Sequence, residues 1–381
     1  MGRDAPQRTC SQARSKSTIR AGVQRVHRQK RSVVKVTMVD KKIAIVGVGA
    51  IGGTIGGCLS MAGYDVTLID QWPENVDLMN SQGLRMSGTH GNHEVPVKAL
   101  HLTDVSLTGS KFDIVFLATK SYDTKWAATF LAPHLKPSGV VISAQNSIND
   151  PIIAQIVGYN RVLSCILNLG SGMYAPAHVV RTNDPEGITV TLGELHCKIS
   201  PRLKEIEYMM ASVGNTKLTT NTWGERWAKL AVNCMVNPMS GITGISSSEV
   251  RQNESTRGLI IKAAAETVRV ATKMGVTMEP INGIPAQAYL DADTGEGLEF
   301  VQSELAQAAG TRGEGLPSLL QDIKKGRRTE IDYLNGYVVV QATKFGIHTP
   351  INQALTRTVK KIESDMLAPA LSNLDILESY I

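Results

Sequence analysis

Six residues, Gly47-Val48-Gly49-Ala50-Ile51-Gly52, restrict the fold of this chain more than any others. They follow a short β-branched run at 43–46, Ile-Ala-Ile-Val, suited to a strand buried on both faces of a parallel sheet. They lead into a helix-compatible stretch that runs through Ala62 and stops at Gly63. GxGxxG between a strand and a helix is the signature of a dinucleotide-binding βαβ unit. Gly47 permits the tight turn, Gly49 lets backbone approach a pyrophosphate, and Gly52 lets the helix pack close to the strand. With Val48, Ala50 and Ile51 between them, the loop turns the free N–H groups of the helix N-terminus toward the phosphates.

A second strand at 65–69 ends in Asp70, about 20 positions beyond the glycines, where an acid accepts hydrogen bonds from the adenosine ribose. Its charge opposes a 2′-phosphate, which predicts NADH over NADPH. The bland alternative is a solvated carboxylate at a strand end. Runs at 113–118 and 140–144 read as further strands, delivering Thr119-Lys120-Ser121 and Gln145-Asn146 to their C-terminal edge. Ligands of open α/β sheets lie across such edges, so Lys120 and Asn146 are candidate contacts to cofactor or substrate. Residues 161–166 and 187–192 look like strands that complete the sheet. The expected architecture is α/β: a Rossmann-type cofactor-binding domain over 38–220, then an all-α domain over 221–381.

Beyond 220 the texture changes to long helical patterns. Over 227–238, Lys229, Asn233 and Asn237 recur at i, i+4 and i+8, so one helical stripe presents an amine and two carboxamides. Nearly every other position there is apolar. That reads as the wall of a polar cleft; the alternative is a surface lysine with two asparagines bridging neighbours. Further on, Pro317-Ser318 can open a helix, and Thr329 with Asp332 three residues later resembles a helix N-cap with an acidic N3 residue. On that local view Glu330 would merely favour a helix dipole.

Charge and composition exclude other classes. Of the formal charge of +6, residues 1–37 supply ten Lys or Arg against one acid, leaving 30 basic and 33 acidic residues in the rest. The body therefore offers no electrostatic case for nucleic acid. The basic segment 1–37 reads as a targeting peptide, a disordered arm, or sequence upstream of a start at Met38, and carries no expectation of fold. Cytoplasmic residence is expected, with an organelle the alternative if the segment is a transit peptide. Five scattered cysteines without CxxC spacing predict reduced thiols, and eight unclustered histidines predict no metal site. No apolar run reaches the ~18 residues of a membrane span.

Two segments carry a resemblance to a known family. Lys229-Leu-Ala-Val-Asn233-Cys-Met-Val-Asn237-Pro238 closely resembles the catalytic helix of ketopantoate reductases (2-dehydropantoate 2-reductases). The stretch from Ser318 through Asp322, Thr329, Glu330, Asp332 and Asn335 to Gly336 resembles that family's second long motif. With the glycine loop and Thr119-Lys120, these matches run in family order over nearly the whole chain after Met38. The resemblance implies Lys229 as the general acid that protonates the developing alkoxide. It implies Asn233, Asn237 and Ser318 as substrate contacts, Asn146 as a bridge between substrate and cofactor, Lys120 as a cofactor contact, and Glu330 near the nicotinamide ribose. It also implies a small 2-oxo acid as partner and a homodimer by family habit; family habit favours NADPH, against the reading of Asp70.

The sequence departs from the family pattern at several points. Asn146 is followed by Ser147 where glycine is usual. A substrate asparagine expected after the catalytic helix is replaced within Ser246-Ser247-Ser248. The second strand ends in Asp70-Gln71-Trp72-Pro73 and lacks the arginine of NADPH users, and the segment 289–317 is longer than usual. Three functions remain in view: reduction of ketopantoate to pantoate for pantothenate synthesis, a sister reductase of another 2-oxo acid, and a non-catalytic dinucleotide sensor.

Overall fold

The computed structural model describes residues 40–182, 187–311 and 316–380, so the basic segment 1–37 lies outside the described residues. Strand β1 (Lys42–Val46), helix α1 (Ala50–Met61) and strand β2 (Asp65–Asp70) form the expected unit, with β1 and β2 parallel. Helix α2 (Pro73–Gln82) follows, then β3 (Leu84–Gly88), β4 (His93–Val95), β5 (Lys98–His101) and the single turn α3 (Leu102–Val105). Alternation resumes with β6 (Phe112–Leu117), α4 (Thr124–Leu131), β7 (Leu135–Ser143), α5 (Asp150–Val157) and β8 (Val162–Leu167). Strands β9 (Ser171–Ala175), β10 (His178–Arg181) and β11 (Ile188–Glu194), helix α6 (Pro201–Met210) and β12 (Asn215–Thr219) complete this part.

Eight strands form the main sheet in the order β12-β11-β8-β7-β6-β1-β2-β5. Only the β8–β11 pair is antiparallel. From β1 the chain winds outward through β2 to one edge and through β6 toward the other. The switch point therefore falls between β1 and β6, where a crevice opens at the strand ends. All six strands expected from the sequence lie in this sheet. The second sheet, β4-β3-β10-β9, is an addition; its strands have three to five residues, too short to register as periodic runs. Apolar layers cover both faces of the main sheet, one centred on Ile45, Leu68 and Phe116, the other on Val46, Val115 and Leu117.

Glycine is required in the first loop for reasons the geometry makes explicit. Gly47 sits at φ +88, and a Cβ there would lie 2.8 Å from the Thr119 nitrogen. At Gly52 a Cβ would meet the Gly47 carbonyl oxygen at 2.0 Å, so α1 could not start where it does with any other residue.

After Thr219 the described chain is helical: α7 (Thr222–Thr243), α8 (Ser247–Gln252), α9 (Glu254–Lys273), α10 (Ala286–Asp293), α11 (Leu298–Thr311), α12 (Ser318–Lys324), α13 (Asn335–Lys344), α14 (Pro350–Glu363) and α15 (Asn373–Glu378). Helix α7 starts on the Asn221 side chain, which accepts from the Gly224 N–H, and ends at Gly244 with φ +79. It is the axis of this part, packed against α9, α12 and α14 and buried along most of its length. An apolar cluster of Ile148, Trp227, Leu230, Leu334 and Val338 joins it to the loop that follows β7. No described helix is long and apolar enough to cross a membrane. The described cysteines, Cys58, Cys165, Cys197 and Cys234, are free thiols.

One local expectation is corrected. Helix α12 opens at Ser318 behind Pro317 as expected, but Thr329 does not cap an α-helix. Its N–H and hydroxyl both go to Glu363 on α14, at 2.7 and 2.6 Å, and only a 3₁₀ turn, Ile331–Tyr333, follows. Asp332 turns outward to Lys360 at 2.6 Å instead of reaching back to the cap. Glu363 has replaced Asp332 as acceptor for the Thr329 N–H, while the hydroxyl oxygen still accepts locally, from the Ile331 N–H at 3.2 Å.

Candidate active site

A cleft of about 1520 Å³ runs from the β1–α1 loop, across the C-terminal edges of β6, β7 and β8, to α7 and α12. Its wall includes Gly47, Val48, Gly49, Ala50, Ile51, Asp70, Lys120, Asn146, Lys229, Asn233, Asn237, Ser318 and Glu330. The structure thus gathers every candidate residue except Gly52, which lies under the loop against Gly47.

At one end, a Cβ built on Gly49 would meet nothing within 4 Å, and no side chain caps the N-terminus of α1. Backbone donors there face open space, the cradle a pyrophosphate needs. Asp70 is only 9% exposed, so it is no solvated strand-end carboxylate. Its Oδ2 accepts from the Val48 N–H at 2.9 Å and the Asn75 amide at 3.1 Å, and its Oδ1 from the Trp72 N–H at 3.0 Å. The carboxylate therefore ties the end of β2 to the glycine loop, with Gln71 and Trp72 lining the cleft beside it.

At the other end, the stripe on α7 meets a polar partner at each step. Lys229 Nζ donates to Asn168 Oδ1 at 3.2 Å, Asn233 Nδ2 to Asn146 Oδ1 at 3.3 Å, and Asn237 Nδ2 to Ser318 Oγ at 3.4 Å. Asn233 and Asn237 are buried at 6% and 9% exposure, so their carboxamides are aimed inward. Asn168 escaped the sequence reading. It directly follows β8, so the strand-edge rule that singled out Lys120 and Asn146 applied equally to it.

Between the two ends sits a charged cluster. Lys120 Nζ lies 2.5 Å from Asp322 Oδ2 and 3.4 Å from Glu330 Oε2, while Glu330 Oε1 accepts from the Ser121 N–H and hydroxyl at 2.8 and 2.7 Å. Burial opposes the Lys120 charge, but Glu330 and Asp322 outweigh it and raise its pKa. Burial first, and then the like charge of Glu330, push the Asp322 carboxyl up despite its lysine partner. The two carboxylates account for the rise at Lys120, and burial accounts for the rise at Asp322. Glu330 belongs to this link between sheet and helices; it precedes the 3₁₀ turn Ile331–Tyr333 and stands at no α-helix terminus.

The departures from the family pattern acquire geometry too. Ser147 has φ +69, the left-handed region where glycine is the usual occupant, and its hydroxyl donates to the Tyr333 carbonyl. Of the three serines after α7, Ser246 caps α8, Ser248 binds the Ala309 carbonyl, and Ser247 alone lines the cleft. Beneath Asn146, the buried Arg226 on α7 donates to the carbonyls of Ser143 and Gln145, both at 2.8 Å, and pairs with Asp150 at 2.9 Å. The sequence signal for Arg226 was a charge on the otherwise apolar face that carries Leu230 and Cys234.

Residues 43–195 match the family described as Ketopantoate reductase PanE/ApbA, and residues 221–363 match Ketopantoate reductase PanE/ApbA C terminal. The 2-dehydropantoate 2-reductase of Pyrococcus abyssi is 31% identical over 331 residues, covering 85% of this chain and 98% of that protein. Among solved structures, a PanE/ApbA family ketopantoate reductase from Ralstonia eutropha superimposes with a TM-score of 0.71 at 28% identity, covering 85% of this chain and 99% of that one. D-mandelate dehydrogenase, solved with NADH and anilino(oxo)acetate, has the same fold at a TM-score of 0.73 and 23% identity, over 85% of this chain and 99% of that one.

Proposed function

We propose that this chain, which belongs to the ketopantoate reductase family and is an oxidoreductase, reduces ketopantoate to pantoate with a nicotinamide dinucleotide, Lys229 acting as general acid. The observation that carries this reading is the stripe of Lys229, Asn233 and Asn237, each donating to a polar partner across one cleft that begins at a glycine loop. We read the chain as two domains meeting at residue 220, with the cleft between them.

The open cradle at Gly49 fits a dinucleotide, which Gly49 to Ile51 would hold at the phosphates, with Val48 lining the loop, and Lys120, Asn146 and Glu330 at the nicotinamide end. When bound, that cofactor supplies the hydride. The work of the chain itself is to bind the 2-oxo acid and handle one proton. Ser318 and Asn237 would hold the carboxylate and Asn233 would orient the acid against Asn146. As the ketone carbon gains its C–H bond, the C=O π pair moves onto oxygen. The Lys229 N–H bond breaks and its proton completes the hydroxyl. A cationic donor near that oxygen stabilises charge that exists only in the transition state. Asn168 supports the role by holding the amine in the cleft.

The test is oxidation of the dinucleotide followed at 340 nm, with ketopantoate and NADH or NADPH in parallel. Rapid turnover supports the proposal, and any turnover that depends on a 2-oxo acid dismisses a sensor role. A second reading keeps the chemistry and changes the acid, favoured by Ser147 and Ser247 at the cleft wall; negligible turnover of ketopantoate with intact dinucleotide binding would select it. The same experiment addresses Asp70. A carboxylate fixed beside the adenosine end opposes a 2′-phosphate, so kcat/KM with NADH is expected to exceed that with NADPH by about tenfold, or ~1.4 kcal/mol. A tenfold preference for NADPH would defeat that reading and leave Asp70 as a brace for the glycine loop.

A further inference from the structure

The catalytic helix α7 contains a proline in its interior, Pro238, directly after Asn237. In an α-helix the N–H of residue i donates to the carbonyl of i−4, and proline has no N–H. The Cys234 carbonyl therefore lacks its helical donor in the stretch flanked by Asn233 and Asn237. That carbonyl is buried, and a buried acceptor demands a partner. Asn335, the first residue of α13 and fully buried, supplies it: its Nδ2 donates to the Cys234 oxygen at 3.0 Å.

The direction of this bond is fixed from a distance. Glu266 on α9 accepts from the N–H groups of Ile351 and Asn352, both at 2.9 Å, and from Asn352 Nδ2 at 2.7 Å. With its amide nitrogen committed to Glu266 and the Ala263 carbonyl, Asn352 can offer Asn335 only Oδ1, which accepts from Asn335 Nδ2 at 2.9 Å. The carboxylate thus sets the orientation of one amide and, through it, of the next. Asn335 must point its donor at α7.

We propose that Asn335 is a positioning residue for the 2-oxo acid: it replaces the backbone bond that Pro238 deletes and so holds Asn233 and Asn237 on the cleft face of α7. The kinetic part of this inference rests on the reductase reading; the structural part does not.

The decisive measurement is the loss caused by Asn335→Leu in two backgrounds. With Pro238 present, kcat/KM for the 2-oxo acid is expected to fall tenfold or more, mainly through KM, with the dinucleotide Kd within threefold of the parent. In the Pro238→Ala background a backbone N–H again reaches Cys234, and the same substitution is expected to cost less than threefold. A role confined to holding the fold would give equal losses in both backgrounds, and that result, or an equal rise in dinucleotide Kd, overturns the proposal. Asn335→Ala serves if the leucine variant does not fold. Independently of any turnover, amide hydrogen exchange in the C-terminal half of α7 is expected to rise at least tenfold in Asn335→Leu, and less with Pro238→Ala. Unchanged exchange overturns the proposal even in a protein that reduces no 2-oxo acid tried.

Discussion

Replacing Lys229 with alanine is expected to lower turnover of the 2-oxo acid by ~10²-fold or more, the usual range for loss of a general acid, while dinucleotide affinity stays near its original value. The two effects separate because the side chains are separate. Lys229 donates to Asn168 at the α7 wall, whereas the open cradle lies at Gly49 on the β1–α1 loop. Alanine has high helix propensity and the site is half-exposed, so folding should survive. Lys229→Arg divides the role further. The guanidinium keeps the positive charge but does not release a proton near neutral pH, so it should recover the electrostatic part of the rate and not the proton transfer. A proton donor also imposes a loss of reduction rate toward alkaline pH, and that limb should vanish from the alanine variant. Steady-state kcat across pH, with dinucleotide Kd from fluorescence titration, checks all three. Near-normal turnover in Lys229→Ala would remove the lysine from the mechanism and return it to the surface reading.

What could be read from the sequence was whatever is encoded in short local patterns. The glycine loop, the polar residues at strand ends and the i, i+4, i+8 stripe are local patterns, and each lies where its pattern places it. What could not be read joins residues far apart in the chain. Asp70 was legible as the acid after β2, but its engagement with Val48 and Asn75 was not, because a strand end does not say which donors fold over it. Lys120 was legible as an edge residue, yet its partner Asp322 is 202 positions away. The Glu266–Asn352–Asn335 relay leaves no trace in periodicity, since its residues sit on three helices. Thr329 shows the converse failure: the reciprocal bond expected from Asp332 was taken by Glu363, 34 residues away. Local rules describe what a segment prefers alone, and burial decides which preference is honoured.

Arg226 is the clearest example of such a hidden junction, and its removal should have the largest effect on stability. The guanidinium is 3% exposed and Asp150 is fully buried. Besides the ion pair it donates to the Ser143 and Gln145 carbonyls and to Ser164 Oγ at 3.1 Å, so one side chain from α7 satisfies the C-terminal edge of β7 and its neighbour β8. Arg226→Met fills similar space but strands a buried carboxylate and two carbonyls at once. Breaking a buried pair by removing one partner costs about 3–5 kcal/mol, which would lower Tm by roughly 4–7 °C in a protein of this size. Asp150→Asn in the same chain should recover part of that loss, because the uncompensated charge, and not the missing attraction, is the larger cost. The two carbonyls stay bare in the double variant, so recovery should be incomplete. Function should suffer beyond stability: Asn146 follows Gln145, and loosening that loop is expected to raise KM for the 2-oxo acid at temperatures where the variant is folded. Urea unfolding of the two single variants and the double variant, set out as a thermodynamic cycle, measures the coupling. A loss under about 1 kcal/mol for Arg226→Met, with no coupling to Asp150, would mean that water or neighbouring donors replace the guanidinium, and that the junction between α7 and the sheet is held by the apolar cluster around Trp227 together with the Thr222 and Trp223 hydrogen bonds to the Glu194 and Leu195 carbonyls.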